Sequence, residues 1–209
     1  MKVLQNTFIT LFALIFLASV QATATDGNSV VSDEWSIDTA HSNINFTITH
    51  FFTPVDGSFE EYSSEILFDP NDLENSSIDV TIPVSSINTE NDRRDNHLKS
   101  EDFFNAEQWS NIHFESNEIE QTGENQFVAH GELTIRDVTR EFELPFELLG
   151  VMDHPMRDGQ KVAGITANAQ LNRTDYGVGV GDWAATAVVG DEVDIQLNLE
   201  LTAPKNAAE

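Results

Sequence analysis

The chain has 209 residues, with 36 Asp and Glu against 10 Lys and Arg, and a formal net charge of −26. This charge argues against a nucleic-acid-binding protein, because binding to phosphates requires a basic surface. No cysteine occurs, so disulfides, thiolate metal sites and lipid attachment to a cysteine are excluded.

The first 24 residues have the pattern of a secretory signal peptide. Lys2 precedes an apolar run at 8–20, and the small residues at 22–24 fit a signal peptidase site. The run is shorter than the roughly 20 residues of a membrane span. We therefore expect cleavage after Ala24, export to the periplasm with full secretion as the alternative, and no stable membrane insertion. The mature chain would have 185 residues and a net charge of −27, because cleavage removes Lys2.

A polar leader is expected at 25–33, a single barrel domain at 34–203 and a short tail at 204–209. Within the domain apolar residues recur with period two, which is typical of β-strands. Turn sequences such as DPND, TGEN and RDG separate the runs. Eight strands are predicted, around residues 44–48 (with Trp35 and Ile37 just upstream), 58–68, 78–84, 112–119, 126–136, 142–148, 161–171 and 193–201.

The predicted strands follow one another mostly without intervening helices, which indicates an antiparallel sheet. Each strand has one apolar and one polar face, so the sheet must close on itself or pack against a second sheet. An eight-stranded barrel with room for one ligand satisfies this requirement. The fold class predicted is therefore all-β, an antiparallel barrel.

One segment breaks the alternation, at residues 89–100 between the third and fourth strands. Its polar residues predict a short helix, with Asn88 or Thr89 as the N-cap. Asp95 and Lys99 are spaced as an i,i+4 ion pair. The segment carries the densest group of cations in the chain, and two phenylalanines that should dock on the barrel follow it directly.

Five segments, in order, resemble the YceI-like family of exported, lipocalin-like proteins. They are WSIDTAHSNINFTITH (35–50), INTENDRRDNHLKSEDFFNAEQW (87–109), GELTIRDVTREFELPFELLG (131–150), LNRTDYGV (171–178) and VGDEVDIQLNLEL (189–201). The resemblance covers nearly the whole mature chain, and it implies an eight-stranded lipocalin-like barrel that holds a polyisoprenoid or similar long-chain amphiphile. The glycine-rich segment at 177–186 departs from a bulkier Trp-Asn segment in many relatives.

We predict that an apolar cavity in the barrel interior receives the lipid tail. Small residues on two strands, such as Ala129, Ala167 and Ala169, would leave room for a cavity; alternatively they face large residues in a filled core. The candidate tail-binding residues are Phe46, Ile48, Phe103, Phe104, Ala129, Leu133, Phe142, Leu144, Phe146, Ile165, Ala167 and Ala169.

The candidate head-group residues are Arg93, Arg94, His97 and Arg173. An anionic lipid would need such local cations to overcome the repulsion from an acidic surface. A structural alternative pairs the arginines with Asp92, Asp95 and Asp175.

No metal, cofactor or catalytic site is predicted. No two of the six histidines stand at a compact ligand spacing, although His41 could fix a bend in the first strand. Neighbouring residues on a strand, such as His41 and Ser42, point to opposite faces and cannot form a nucleophile–base pair.

The predicted function is a carrier for an isoprenoid or other amphiphilic lipid. The alternatives are an enzyme or redox accessory acting on an isoprenoid quinone, and a structural barrel with a filled core. The oligomeric state is left open, with a homodimer as one option.

Overall fold

The computed structural model describes residues 33–185 and 187–205. The predicted signal peptide and almost all of the predicted leader lie outside the described residues. One α-helix, α1 (Asp92–Lys99), accompanies eleven strands in these ranges. The strands are β1 (Glu34–Ile37), β2 (Asn43–His50), β3 (Thr53–Phe59), β4 (Ser63–Leu67), β5 (Ser77–Pro83), β6 (Ile87–Asn88), β7 (Asn111–Gln121), β8 (Gln126–Ile135), β9 (Val138–Asp153), β10 (Gln160–Asn172) and β11 (Val189–Pro204).

Eight strands close a ring in the order β1-β4-β5-β7-β8-β9-β10-β11, because β1 also pairs with β11. Every pairing is antiparallel, for example between the long strands β10 and β11. The predicted eight-stranded antiparallel barrel is confirmed. Strands β2, β3 and β6 extend the sheet from the other half of β11. No helix in the described ranges is long and apolar enough to cross a bilayer.

The first predicted strand is divided by a bend between β1 and β2. The Asp38 backbone N–H donates to the Glu200 carbonyl at 2.8 Å, and the His41 N–H donates to the Asp38 carbonyl at 3.1 Å. The Asp38 carboxylate accepts from the Ala40 N–H at 3.0 Å. This bond, followed by the His41 imidazole, lowers the pKa of the Asp38 carboxyl. Asp38 is thus the main residue that holds the bend. His41 contributes through its contacts with the carbonyl and the carboxylate of Asp38.

Strand β3 begins at Thr53, five residues before the predicted strand at 58–68. The prediction missed these residues because Pro54 and Gly57 are poor strand formers by sequence. In the structure Gly57 lies opposite Phe46. The Phe46 ring occupies the space that a Cβ at position 57 would need. The glycine therefore marks a close approach of an aromatic ring to the backbone.

One end of the barrel is filled by aromatic rings, which form its floor. The rings of Phe127 and Phe146 stack with centroids 5.3 Å apart, and Phe68 meets both edge-on at 5.2 and 5.6 Å. The Trp35 indole N–H donates to the Phe68 carbonyl at 2.9 Å. Aromatic pairs in these geometries add to the stabilisation from burial. This cluster closes the end of the barrel at which β1 begins.

The small residues of β8 and β10 belong to this floor and not to a tunnel. Ala129 and Ala167 are buried in the same cluster as the aromatic rings. Small side chains opposite large ones keep a barrel interior at full packing density. The interpretation of small residues as cavity volume was therefore wrong for this part of the barrel.

We expect Phe127→Ala to destabilise the fold strongly, because the ring is 1% exposed. Removing a buried phenylalanine typically lowers the free energy of unfolding by about 3–5 kcal/mol. Urea denaturation followed by circular dichroism measures this loss. Phe52→Ala, at a ring that is 97% exposed, is the control and should change stability by less than about 0.5 kcal/mol. Equal losses for the two variants would contradict the assignment of the floor.

Candidate functional site

A cavity of about 750 Å³ occupies the other half of the barrel. Its described wall is mostly aliphatic and aromatic, with contributions from α1 and from every strand except β4. Four of its lining residues are also exposed to solvent, and they define the mouth: His50, Asn91, Arg93 and Arg94. The cavity thus runs from the edge of the aromatic floor to an opening between the β2–β3 hairpin and α1.

Seven of the twelve candidate tail-binding residues line this cavity. These are Phe46, Ile48, Phe103, Phe104, Leu133, Phe142 and Leu144. The other five do not belong to its wall. Ala129, Phe146, Ile165 and Ala167 are buried in the floor, and Ala169 is half-buried beside β11. The sequence pattern identifies the inward faces of the strands. It does not show where along the barrel axis the aromatic floor ends and the cavity begins.

Helix α1 positions the cations of the mouth. Its N-cap is Asn91, whose side-chain oxygen accepts from the Arg94 N–H at 3.1 Å. The predicted caps, Asn88 and Thr89, were wrong because Glu90 adopts a left-handed φ of 58°, which separates them from the helix. The helix therefore starts at Asp92, and both Arg93 and Arg94 lie in its first turn.

Arg94 is tied to the chain just before the helix. Its Nε donates to the Thr89 hydroxyl at 2.7 Å and its Nη2 donates to the Thr89 carbonyl at 2.6 Å. The same hydroxyl donates to the buried Asp95 carboxylate at 2.5 Å. Asp95 thus bonds Thr89, and the predicted ion pairs of Asp95 with Lys99 and with the neighbouring arginines were wrong.

Arg93 differs from Arg94 in having no such anchor. It lines the mouth and is exposed, and its guanidinium forms no hydrogen bond or ion pair with another residue in the described ranges. Its exposed guanidinium offers five donors at the opening. It is therefore the mouth cation most available to an anionic group.

His97 links α1 to the segment that follows it. Its Nε2 lies 3.0 Å from the Asp102 carboxylate, and its ring meets Phe103 and Trp183 edge-on at 5.0 and 4.8 Å. Phe103 is buried, and Phe104 meets Phe59 at 6.4 Å. The two phenylalanines dock as expected and form one side of the cavity below the helix.

Arg173 lies in the cavity wall, but its guanidinium is committed to the backbone. Its Nε donates to the Gly190 carbonyl at 2.8 Å, Nη1 to two further carbonyls and Nη2 to two more. Those four acceptors, at distances of 2.5 to 3.1 Å, are the carbonyls of Val178, Gly179, Trp183 and Val189. All five N–H donors are thus used. This geometry does not support the predicted head-group role of Arg173. The predicted pairing of Arg173 with Asp175 was also wrong.

Burial of Arg173, which is 4% exposed, lowers the pKa of its guanidinium, while the charge of Asp191 raises it. Its function is to join the 177–183 segment to the start of β11. Tyr176 directly precedes this segment, and burial raises the pKa of its hydroxyl.

Sequence reasoning also missed Arg136. Its Nη1 donates to the carbonyls of Phe103, at 3.0 Å, and Gly177. Its guanidinium lies over the Trp109 ring at 4.5 Å from the centroid, a cation–π contact. Arg136 therefore joins the β8–β9 turn to both segments that border the mouth. No local pattern in the sequence indicates this, because the acceptors are backbone carbonyls 33 and 41 residues away.

In the part of the chain that the structure describes, two groups of side chains have the spacing of metal ligands, although no metal site was predicted. Asp38, His41 and Glu200 form one, with His41 Nδ1 3.3 and 3.6 Å from the two carboxylates. Asp79, His113 and Glu115 form the other, with a His113–Asp79 contact of 3.1 Å. Neither group lines the cavity. As they stand, these are close contacts between histidine ring nitrogens and carboxylate oxygens.

The fold and the cavity together define a lipocalin-like β-barrel with an apolar interior chamber. The family model for the YceI-like domain matches residues 35–201. A UPF0312 protein of Staphylococcus aureus (strain bovine RF122 / ET3-1) is 37% identical over 171 residues, which are 80% of this chain and 96% of that protein. The chain belongs to the YceI-like family.

Solved structures agree with this assignment. The Campylobacter jejuni YCEI protein is 34% identical, with a TM-score of 0.64 over 82% of this chain and 97% of that one. BcnA of Burkholderia cenocepacia, at 24% identity, has a TM-score of 0.70 over 80% and 99%. A polyisoprenoid binding domain from Saccharophagus degradans, at 15% identity, has a TM-score of 0.61 over 83% and 99%. The last two show the shared fold.

We expect Arg173→Lys to destabilise the protein by about 2–4 kcal/mol. An ammonium group has three donors, so at least two of the five carbonyls would lose their partner, and an unpaired buried polar group costs about 1–3 kcal/mol. Arg140→Lys is the matched control, since Arg140 is half-exposed and contacts Asp175 at 3.8 Å. Chemical denaturation of both variants measures the difference. A loss below about 1 kcal/mol for Arg173→Lys would contradict the structural role.

Gly179 provides a second test of the same contact. Both Gly179 and Gly181 have left-handed φ angles, of 63° and 67°. A Cβ at position 179 would collide with the Arg173 guanidinium and the Phe103 ring, whereas a Cβ at 181 meets nothing within 4 Å. We expect Gly181→Ala to cost about 1 kcal/mol for backbone strain, and Gly179→Ala at least 2 kcal/mol in total. Equal melting temperatures for the two variants would show that the Arg173 contact tolerates displacement.

Proposed function

We propose that this protein is an exported carrier that holds the tail of a long-chain isoprenoid or similar amphiphilic lipid in the barrel cavity. The pattern of residues 1–24 supports export, and the apolar wall supports a hydrocarbon ligand. Membership of the YceI-like family and the fold shared with a polyisoprenoid binding domain are in keeping with this proposal. A volume of about 750 Å³ lies in the range of roughly 300–1,000 Å³ that is usual for ligand pockets.

One observation carries the proposal: the chain has 36 carboxylates, but the wall of the cavity in the described ranges contains none. The ionisable groups in this wall are three arginines and two histidines: Arg93, Arg94, Arg173, His50 and His97. Acidic residues are thus kept out of this wall, which is apolar with cations at one end. This arrangement suits a ligand with a hydrocarbon tail and a polar or anionic head.

The proposed role is binding, without a catalytic step. In the described wall, general acid–base chemistry would depend on a histidine, since no carboxylate is present. His97 is held by Asp102 and by two aromatic rings, which fits a structural role. No geometric observation favours action on a quinone. The open chamber disagrees with a barrel whose core is filled throughout.

Blocking the cavity should abolish uptake. Leu144 lines the cavity, whereas Leu149 on the same strand is 63% exposed on the outer surface. We expect Leu144→Trp to weaken binding of a fluorescent prenol at least tenfold, because the indole occupies the space of the tail. Leu149→Trp introduces the same side chain outside the chamber and should leave the affinity within twofold. Fluorescence titration measures both, and equal affinities would contradict a tail site in this cavity.

Head-group recognition is tested at Arg93. We expect Arg93→Gln to weaken a prenyl phosphate about three- to tenfold and the matching prenol less than twofold, because an exposed charge contact contributes about 1 kcal/mol. Arg157→Gln is the control, as Arg157 is also exposed and lies 3.9 Å from Asp38, away from the cavity wall. The test is a titration of both ligands in low salt. Equal losses for phosphate and prenol would assign Arg93 to general packing at the mouth.

A further inference from the structure

The tip of the β2–β3 hairpin presents two phenylalanines to solvent. Phe51 is 56% exposed and Phe52 is 97% exposed. The six residues of the tip, THFFTP at 49–54, include no Asp, Glu, Lys or Arg, although the chain has 46 such residues in total. The tip is therefore an uncharged aromatic projection on a strongly acidic protein.

The tip is also conformationally unfavourable for these residues. Pairing continues to His50 and Thr53, so Phe51 and Phe52 form a two-residue turn. Phe51 has a φ of 54°, in the left-handed region where a bulky residue is uncommon. Turns of this length favour Gly or Asn at such a position. Phe51 thus adds backbone strain, and both phenylalanines expose apolar area that ordinary turn residues would avoid. This combination points to a function outside the fold.

The turn is held in place. The Phe51 N–H donates to the Val188 carbonyl at 2.9 Å, and the His50 ring meets the Phe51 ring edge-on at 4.5 Å. Strand pairing on both sides of the turn fixes its direction. The Phe52 side chain therefore projects from a rigid support.

The hairpin tip borders the mouth of the cavity. His50, at the end of β2, and Val55, in β3, both line the chamber, as does Val189 next to the Phe51 anchor. The exposed cation Arg93 lies on α1 at the same opening. A surface that contacts Phe52 would therefore lie next to the entrance of the chamber.

We propose that the Phe51–Phe52 tip inserts into the interfacial region of a zwitterionic lipid bilayer and so places the mouth against the membrane. This inference rests on the proposed function, because it describes how a lipid enters and leaves the chamber. Lipid would then pass between bilayer and cavity with little exposure of its tail to water.

The size and charge of the tip favour a bilayer over a protein partner. Two phenylalanine rings expose roughly 300 Å², since an aromatic side chain has about 150–250 Å² of surface. A stable protein interface needs about 800 Å² per partner. Binding to a membrane surface instead scales with the apolar area that enters the headgroup boundary, so a small aromatic tip suits a weak, reversible contact with a bilayer. The uncharged tip and the net charge of −26 select a zwitterionic surface, because an anionic one would repel the rest of the protein.

A second exposed apolar residue provides a matched control at the other end of the barrel. Met156 is 87% exposed, follows β9 near the start of β10, and does not line the cavity. Phe52→Ser and Met156→Ser each remove one nearly fully exposed apolar side chain. Neither change removes a packed contact, so both variants should fold as the parent does.

The experiment measures cosedimentation with phosphatidylcholine vesicles, using parent and variants whose identical N-termini have been verified by mass. We expect Phe52→Ser to reduce vesicle binding at least fivefold, and Met156→Ser less than twofold. Transfer of a fluorescent prenol from vesicles to the protein should slow at least fivefold in Phe52→Ser. Binding of the same prenol from a detergent dispersion should be unchanged, because the chamber is intact.

The outcomes separate the two proposals. The membrane contact would be overturned, and the carrier function left standing, by either of two results. In one, the parent binds the dispersed prenol but not the vesicles; in the other, both variants bind the vesicles equally. Loss of dispersed-prenol binding in Phe52→Ser would overturn it too, since Phe52 would then be part of the ligand site. A parent that fails to bind the dispersed prenol would refute the carrier function itself.

Discussion

The uneven filling of the barrel is the constraint on which the rest of the structure depends. The Trp35, Phe68, Phe127 and Phe146 cluster fills one half, and the small side chains of β8 and β10 are matched to its rings. In the other half the β2–β3 hairpin and α1 enlarge the enclosure, and the side chains no longer meet across it. The fold is thus stabilised by its floor, so the upper half can remain open without loss of the native state.

An open half requires that the segments around its mouth be fixed by other means than a packed core. Two arginines serve this purpose, Arg173, which is buried, and Arg136, which is half-buried. Arg173 donates to five backbone carbonyls, three in the 177–183 segment and two at the start of β11. Arg136 donates to the carbonyls of Phe103 and Gly177. Because the acceptors are neutral carbonyls, the mouth is ordered without bringing carboxylates to the cavity wall. This is consistent with an acidic protein whose chamber can accept an anionic or neutral amphiphile.

The sequence was sufficient to predict the barrel, because alternation reports directly on which face of a strand is buried. It predicted α1 to within three residues and located the mouth cations, since polar helix-compatible residues contrast with strands. It could not distinguish floor from chamber: Ala167 and Leu144 both face inward, and only the three-dimensional position of the aromatic rings separates them. It also misassigned Arg173, because a bond to a backbone carbonyl leaves no trace in residue identity.

The central claim is that the chamber holds a single lipid tail. Native mass spectrometry of protein purified from its own host, followed by extraction and mass analysis of any bound molecule, tests it most directly. The account predicts a one-to-one complex with an amphiphile that has one long hydrocarbon chain, and the release of this molecule under denaturing conditions. A ligand-free mass that persists after incubation with excess prenol and prenyl phosphate would contradict the account, as would a bound molecule without a hydrocarbon tail.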